Sequence, residues 1–260
     1  MPYVKCKGFR INYIEYGRVS GLQPIIFVHG AWANHIIYFR QIIYFLKYTK
    51  VYALDLLGHG KSDKPKIEYS IDNFTEILKA FIENLNISNP ILVGHSMGGY
   101  IVQNLTIKYP DIPSKIIIHC SGVNLLGIPI KLPKFITIFI KKGLYFINYS
   151  IFCRLNDKVA ASKEINDIKG SHLEARIAKS CSKHAIMSEI YHMILFEISK
   201  QINKIKIPIF FISGTKDPFI NQKKIYESLP NCLVKIQDKG DHNLHLEGKI
   251  NPWILEFIKK

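Results

Sequence analysis

The sequence predicts an α/β protein with a mostly parallel sheet that is covered by helices on both faces. Short apolar runs typical of buried strands alternate along the chain with longer segments of helical periodicity. Such alternation builds strand–helix–strand units, whose strands are parallel. The alternation of strands and helices stops between about Ser121 and Ile205, where the pattern is mainly helical. We interpret that stretch as an insertion into the sheet domain rather than as a separate linked domain.

The individual elements follow from composition and from the residues that bound them. The predicted strands are half-buried RINYIEY and the more apolar runs PIIFVHG, KVYALDL, NPILVG, KIIIHC, KIPIFFISG and CLVKIQ. The predicted helices are IIYFRQIIYFL, DNFTEILKAFIENL, MGGYIVQNLTIKYP, IYESLP and PWILEFIKK. We expect Asp72 to cap the second of these helices and Pro110 to end the third.

Composition excludes several classes of protein. The chain is 48% hydrophobic and 21% charged, as in globular proteins, and has no apolar run of about 20 residues or signal-peptide pattern. Five scattered cysteines without a C-x-x-C pair favour a reducing, cytoplasmic location. The net charge is +15, but the lysines are dispersed, so no nucleic-acid partner is expected. The sequence does not specify an oligomeric state.

One serine stands between glycines at a strand-to-helix junction. LVGHSMGG places Ser96 between Gly94 and Gly98. The glycines suit a plain tight turn, and they equally suit a nucleophile elbow, in which a strained turn exposes a serine hydroxyl. A serine hydroxyl is a poor nucleophile without a base, so the elbow hypothesis requires a base and an acid elsewhere in the chain.

Candidates for the base and the acid follow two later predicted strands. Asp217 comes just after KIPIFFISG and His242 just after CLVKIQ, and functional residues of parallel sheets gather beyond the carboxyl ends of strands. Each has an ordinary alternative, a turn aspartate before proline and a loop histidine. The order Ser96, Asp217, His242 is nevertheless that of a serine hydrolase triad on such a sheet, and it predicts these three as the catalytic residues.

When a serine attacks a carbonyl group, the carbonyl oxygen becomes a negatively charged oxyanion. Two backbone N–H donors are needed to stabilise that charge. Met97 directly follows the serine at a helix N-terminus, where amide hydrogens lack intrahelical acceptors. The second donor is expected from the loop after FVHG, at Ala31, with Trp32 beside it as a substrate-binding residue.

Five segments together resemble the α/β-hydrolase superfamily. FVHGAW, DLLGHGKSD, LVGHSMGG, SGTKDPF and KGDHNLHLE occur in the family's order, and the similarity covers roughly residues 8–122 and 205–260. The resemblance implies an α/β-hydrolase fold with an eight-stranded, mostly parallel sheet and a helical cap inserted after the sixth strand. The expected division is a core of residues 1–122 and 205–260 and a cap of residues 123–204.

The resemblance also assigns supporting roles. Asp55, Gly58, Gly60 and Ser62 match a loop that braces the active-site mouth, and His59 within it is not expected to be catalytic. Asp241 is a departure, because relatives usually carry a small residue directly before the triad histidine.

The implied activity is acyl transfer by a cap-bearing, esterase- or lipase-like serine hydrolase, without metal or organic cofactor. The apolar cap segment favours a small-molecule ester with an apolar acyl part, and Phe139 and Phe146 are our candidates for substrate contact. Lysines flanking that segment also suit a peripheral contact with membrane lipid. Two alternatives stay open: a C–C bond hydrolase of the same fold, and a small-ligand receptor that keeps the triad.

Overall fold

Eight strands form a single sheet in a computed structural model that describes residues 2–18, 21–125, 177 and 180–260. The spatial order is β1-β2-β4-β3-β5-β6-β7-β8. In chain order the strands are β1 (Tyr3–Cys6), β2 (Phe9–Tyr16), β3 (Ile25–Val28), β4 (Val51–Leu54), β5 (Ile91–His95), β6 (Lys115–His119), β7 (Ile209–Gly214) and β8 (Cys232–Gln237). The predicted eight-stranded α/β architecture is confirmed.

The sheet is parallel except at one side. From β4 through β3, β5, β6 and β7 to β8 every neighbouring pair is parallel, whereas β1–β2 and β2–β4 are antiparallel. The apolar pattern did not predict β1, which is short and largely exposed. Because six parallel strands end at the same edge, the loops that follow β3, β5, β7 and β8 are brought together there.

Helices cover the sheet, and their starts differ in detail from the prediction. They are α1 (Phe39–Phe45), α2 (Ile71–Asn84), α3 (Met97–Lys108), α4 (Lys183–Leu195), α5 (Lys223–Glu227) and α6 (Asn251–Lys259), with 3-10 turns at His35–Tyr38, Ile202–Lys204, Ile220–Gln222 and Leu244–Glu247. The expected cap of α2 was wrong. Ser70 is the N-cap, since its side chain accepts from Asn73 N, and Asp72 lies in the first turn, where it bonds to Asn104.

The core lies on both faces of the sheet because strand side chains alternate. On β3, Ile26 and Val28 pack into the cluster with α2 and α3, whereas Ile25 and Phe27 pack into the cluster with α1 and α6. All four are fully buried, and burying such a side chain contributes about 1.5–3 kcal/mol. This two-sided burial explains why the central strands are continuous apolar runs.

The predicted cap is only partly within the described residues. Of residues 123–204, the structure describes 123–125, 177 and 180–204, and these include α4 and an isolated bridge between Asn124 and Glu197. The domain boundaries therefore stay a prediction. In the described part of the chain, no helix combines the length and apolarity needed to cross a membrane.

Candidate active site

Ser96 lies on a strained backbone between β5 and α3. Its φ is +51° and its ψ is −121°, a conformation that costs a non-glycine residue on the order of 1–3 kcal/mol. The strain is held by three hydrogen bonds: Ser96 N donates to His119 O at 3.1 Å, and Ser96 O accepts from Gly99 N at 2.8 Å and from Ser121 Oγ at 2.7 Å. The serine is half-buried.

The glycines around Ser96 permit close approach of backbone to backbone. A Cβ on Gly98 would lie 2.1 Å from the carbonyl oxygen of Val28 in β3, and one on Gly94 would lie 2.4 Å from Gly98 O. Neither contact is sterically tolerable, so α3 can begin directly above the sheet only with glycine at both positions. The sharp turn, with its serine, follows from that packing.

Asp217 and His242 are brought together by the loops after β7 and β8. His242 Nδ1 lies 2.8 Å from Asp217 Oδ1, and Ser213 Oγ donates to the other carboxylate oxygen at 2.5 Å. The Asp217 side chain is fully buried and that of His242 is 26% exposed. Burial alone would raise the pKa of Asp217, but the hydrogen bond and charge of His242 outweigh it and lower that pKa. Asp217 is therefore an ionised partner of the imidazole.

His95 connects the serine turn to the His242 loop. It directly precedes Ser96, its Nε2 lies 3.0 Å from the carbonyl oxygen of His242, and the two rings are 4.8 Å apart. The structure thus places the loop that carries His242 against the turn that carries Ser96.

The predicted oxyanion-hole residues flank the serine. A Cβ on Gly30 would lie 3.0 Å from Ser96 Cβ, so the loop that continues to Ala31 passes directly beside the serine. Met97 is the first residue of α3, where an amide hydrogen has no acceptor within the helix. Trp32 follows in the same loop with a φ of +58°.

Comparison with known proteins agrees with this architecture. Residues 23–142 match the family model described as alpha/beta hydrolase fold. An uncharacterized hydrolase, YugF, of Bacillus subtilis is 26% identical over 95% of this chain and 94% of its own length. These findings support membership of the α/β-hydrolase superfamily, whose fold the chain has. They likewise support a hydrolase as the class of enzyme.

Solved structures and further relatives extend the comparison. A bromoperoxidase from Bacillus anthracis superposes with a TM-score of 0.82 at 23% identity, covering 97% of this chain and 96% of that one. The esterase EaEST from Exiguobacterium antarcticum superposes with a TM-score of 0.83 at 18% identity, covering 99% of both chains. At these identities the likeness shows the fold alone. An uncharacterized Mycobacterium tuberculosis protein is 30% identical, but over only 43% of this chain and 33% of its own length.

Of the predicted substrate-binding residues, Trp32 alone lies in the described part of the chain. It packs with Cys181, Ile186, Met187 and Ile190, which belong to α4 or directly precede it. Phe139 and Phe146 lie outside the described residues.

The loop after β4 is organised by a buried aspartate. Asp55 accepts from His35 Nδ1 at 2.7 Å, from Asn12 Nδ2 at 2.8 Å and from Lys61 N at 2.9 Å. Burial raises its pKa, but the bonds and charge of His35 prevail and bring the pKa to about 2. A Cβ on Gly60 would lie 2.2 Å from Asp55 Oδ2, so the tight loop requires glycine there.

Sequence reasoning missed Glu189 altogether. Glu189 is fully buried in α4, and its Oε2 lies 3.1 Å from Nε2 of the equally buried His59. Burial raises the pKa of this carboxylate, and His59 and the Trp32 backbone act in the opposite direction. The available signal was a glutamate in an apolar helical stretch, but its partners are far away in the chain.

Proposed function

We propose that the chain is a serine hydrolase that cleaves carboxylic esters with an apolar acyl part. The observation that carries the proposal is the 2.8 Å contact between His242 Nδ1 and the ionised Asp217, in the loop that His95 holds against the Ser96 turn. Nucleophile, base and orienting acid are the parts that acyl transfer through a serine requires.

The proposed mechanism follows from the tautomer of the His242 imidazole. An ionised carboxylate can only accept, so Nδ1 of His242 carries the hydrogen and Nε2 keeps its lone pair. Nε2 then removes the proton of Ser96 as Oγ attacks the ester carbonyl, and the backbone N–H groups of Ala31 and Met97 stabilise the oxyanion. The protonated imidazole next delivers its proton to the leaving alcohol. Water repeats the sequence on the acyl-enzyme and regenerates Ser96.

Aromatic side chains next to His242 support an apolar substrate group. The ring of Phe219 lies 5.7 Å from that of His242, and Tyr100 packs on both Phe219 and Phe196. Trp32 supplies another half-buried ring in the loop beside Ser96. An esterase from Exiguobacterium antarcticum and an enol-lactonase from Burkholderia xenovorans are among the proteins that share the fold.

A fluorophosphonate probe tests the nucleophile. We expect labelling of a single serine, Ser96 by peptide mass spectrometry, and none in Ser96→Ala. Ester turnover in that variant should fall by about 10³-fold or more, because the attacking oxygen is lost. Ser228→Ala is the control, since Ser228 is exposed beyond α5, and it should label and turn over normally. Unchanged labelling in Ser96→Ala would refute the proposal.

Substrate series separate the ester hydrolase from its alternatives. Brisk turnover of p-nitrophenyl esters that rises with acyl length supports the proposal. Turnover of a vinylogous 1,5-diketone with poor ester cleavage would instead indicate a C–C bond hydrolase. Tight binding of small ligands with very slow turnover of both would indicate a receptor. Phe139→Ala and Phe146→Ala should shift the acyl preference while leaving Ser96 labelling intact.

A further inference from the structure

Three histidines converge behind the Ser96 turn without a common sequence motif. His95 ends β5 and His119 ends β6, and the two are direct partners in the parallel register, so their side chains lie side by side. His245 comes from the 3-10 turn Leu244–Glu247 and covers them. Its ring lies 4.4 Å from that of His95 and 5.4 Å from that of His119.

These rings are buried, and several of their nitrogens have no hydrogen-bond partner. His95 is 6% exposed, and His119 and His245 are each 1% exposed. Nδ1 of His95, Nδ1 of His245 and both ring nitrogens of His119 are unpartnered. A buried polar group without a partner costs about 1–3 kcal/mol. Such a cost at one point in the core calls for a ligand that satisfies several nitrogens at once.

The unpartnered nitrogens can offer lone pairs. Burial, reinforced by the neighbouring imidazoles, holds the pKa of His95 and His245 well below the usual histidine value, and burial lowers that of His119 to about 3. All three rings are therefore neutral at pH 7. His95 Nε2 faces the carbonyl oxygen of His242, which can only accept, so Nε2 carries the hydrogen and Nδ1 keeps the lone pair.

We propose that His95, His119 and His245 form a binding site for a divalent transition-metal ion of the zinc type. Each can supply one nitrogen, and these three atoms lie within 4.8 Å of one another. Imidazole nitrogens about 2.1 Å from a tetrahedral zinc ion stand about 3.4 Å apart, so binding needs side-chain shifts of about an ångström. Neutral imidazole is a preferred ligand of such ions, and a water molecule would complete the tetrahedron.

The surroundings favour a cation. The carboxylate charge of Asp217 acts on His119, and it would offset part of the metal's charge in a dry environment. The ion would also tie the end of β6 and the Leu244–Glu247 turn to His95, and so fix the residue before Ser96. The site lies beside the proposed catalytic residues and uses none of them. The metal-site proposal can therefore be tested independently of the ester hydrolase proposal.

Metal content tests the site directly. Tag-free protein is stripped with a chelator, titrated with Zn²⁺, dialysed and analysed by plasma mass spectrometry. We expect about one bound ion per chain and an increase in melting temperature. Co²⁺ should give the visible absorption of a four-coordinate nitrogen site. Removing only a group that hydrogen-bonds to a metal ligand weakens metal binding about 10–100-fold. His119→Phe removes a ligand itself and keeps an apolar ring, so it should lower the affinity for Zn²⁺ at least about 100-fold.

Matched variants decide the outcome. His184→Ala removes a half-buried histidine outside the cluster and should bind Zn²⁺ like the wild type. Ser96→Ala should also bind normally, even though it abolishes the proposed esterase activity. His245→Phe serves as a second ligand variant if His119→Phe fails to fold. Zn²⁺ binding that neither Phe variant weakens, or no binding by the stripped wild type, would overturn the proposal.

Discussion

At the scale of single residues, His242 is held at both its ring and its backbone. Nδ1 lies 2.8 Å from Asp217, and the carbonyl oxygen lies 3.0 Å from His95 Nε2. Asp241 is the neighbouring carboxylate in the chain, but its Oδ1 accepts from Asn243 N at 2.8 Å within its own loop. The ring is therefore oriented by an aspartate from a different strand end, while the adjacent aspartate shapes the turn.

This difference predicts unequal effects of the two aspartates. Asp217→Asn should lower kcat by about 10⁴-fold, because an amide no longer fixes the tautomer that leaves Nε2 free to accept a proton. Asp241→Asn is the matched control and should retain most of the activity. Steady-state kinetics on a p-nitrophenyl ester measures both. The reverse ranking would transfer the orienting role to Asp241.

At the scale of elements, α4 is joined to the loop after β4 by polar contacts. Its N-cap, Ser182, donates its N–H to Gly58 O at 3.0 Å, and Ser188 Oγ accepts from Tyr69 N at 2.8 Å. Glu189 adds the buried contact with His59. Burial works against the charged form of His59. The charge and hydrogen bond of Glu189 prevail, and they raise the pKa of His59.

Glu189→Gln should loosen this attachment. Removing one charge of a buried pair is strongly destabilising, so we expect the free energy of unfolding to fall by about 3–5 kcal/mol. Because the folded pKa of His59 is raised, the stabilisation that comes from protonating His59 is fully present below about pH 6.5 and is lost as the pH rises through the folded value. Burial raises the pKa of Glu189 as well. Urea unfolding at pH 6 and pH 9 should show the larger difference at pH 6.

The control for this variant is Glu227→Gln, which changes an exposed glutamate paired with Lys223. Exposed pairs contribute about 0–1 kcal/mol, so this change should be close to neutral. A Glu189→Gln protein as stable as this control at pH 6 would show that α4 does not depend on the buried pair.

At the scale of the whole molecule, buried histidines set the response to acid. Burial lowers the pKa of His29 and His119 to about 3 and that of His95 and His245 well below the ordinary value. Below about pH 6.5 the unfolded chain binds protons at these positions and the folded chain does not. The contribution of these four histidines to the free energy of unfolding is thus complete above pH 6.5 and declines as the pH falls.

Well below pH 6.5, each such histidine should add about 1.4 kcal/mol per pH unit to the slope of the free energy of unfolding against pH. Urea unfolding at pH 7, 6 and 5 in the presence of a chelator measures the total. His119→Phe should reduce the slope by about that amount. His184→Ala, which removes a half-buried histidine outside this set, is the variant for comparison. An identical slope in wild type and His119→Phe would show that His119 is protonated in the folded protein.

The sequence by itself determined the sheet architecture and the candidates for its functional edge. Continuous apolar runs predicted the central strands, since a strand covered on both faces exposes no polar side. Ser96, Asp217 and His242 were each identifiable because they lie in the loops or turns that begin at the ends of such strands, where chain position already places them at one edge. Their catalytic roles stay predictions, as do the oxyanion donors Ala31 and Met97.

Only the tertiary structure decided which distant polar side chains meet. His119 and His245 face His95 because β5 and β6 are paired in register and a turn after β8 folds over them. Glu189 meets His59 because α4 packs on the loop after β4. None of these contacts leaves a pattern in the chain, because a buried polar residue is defined by its partner, and packing brings that partner from another part of the sequence.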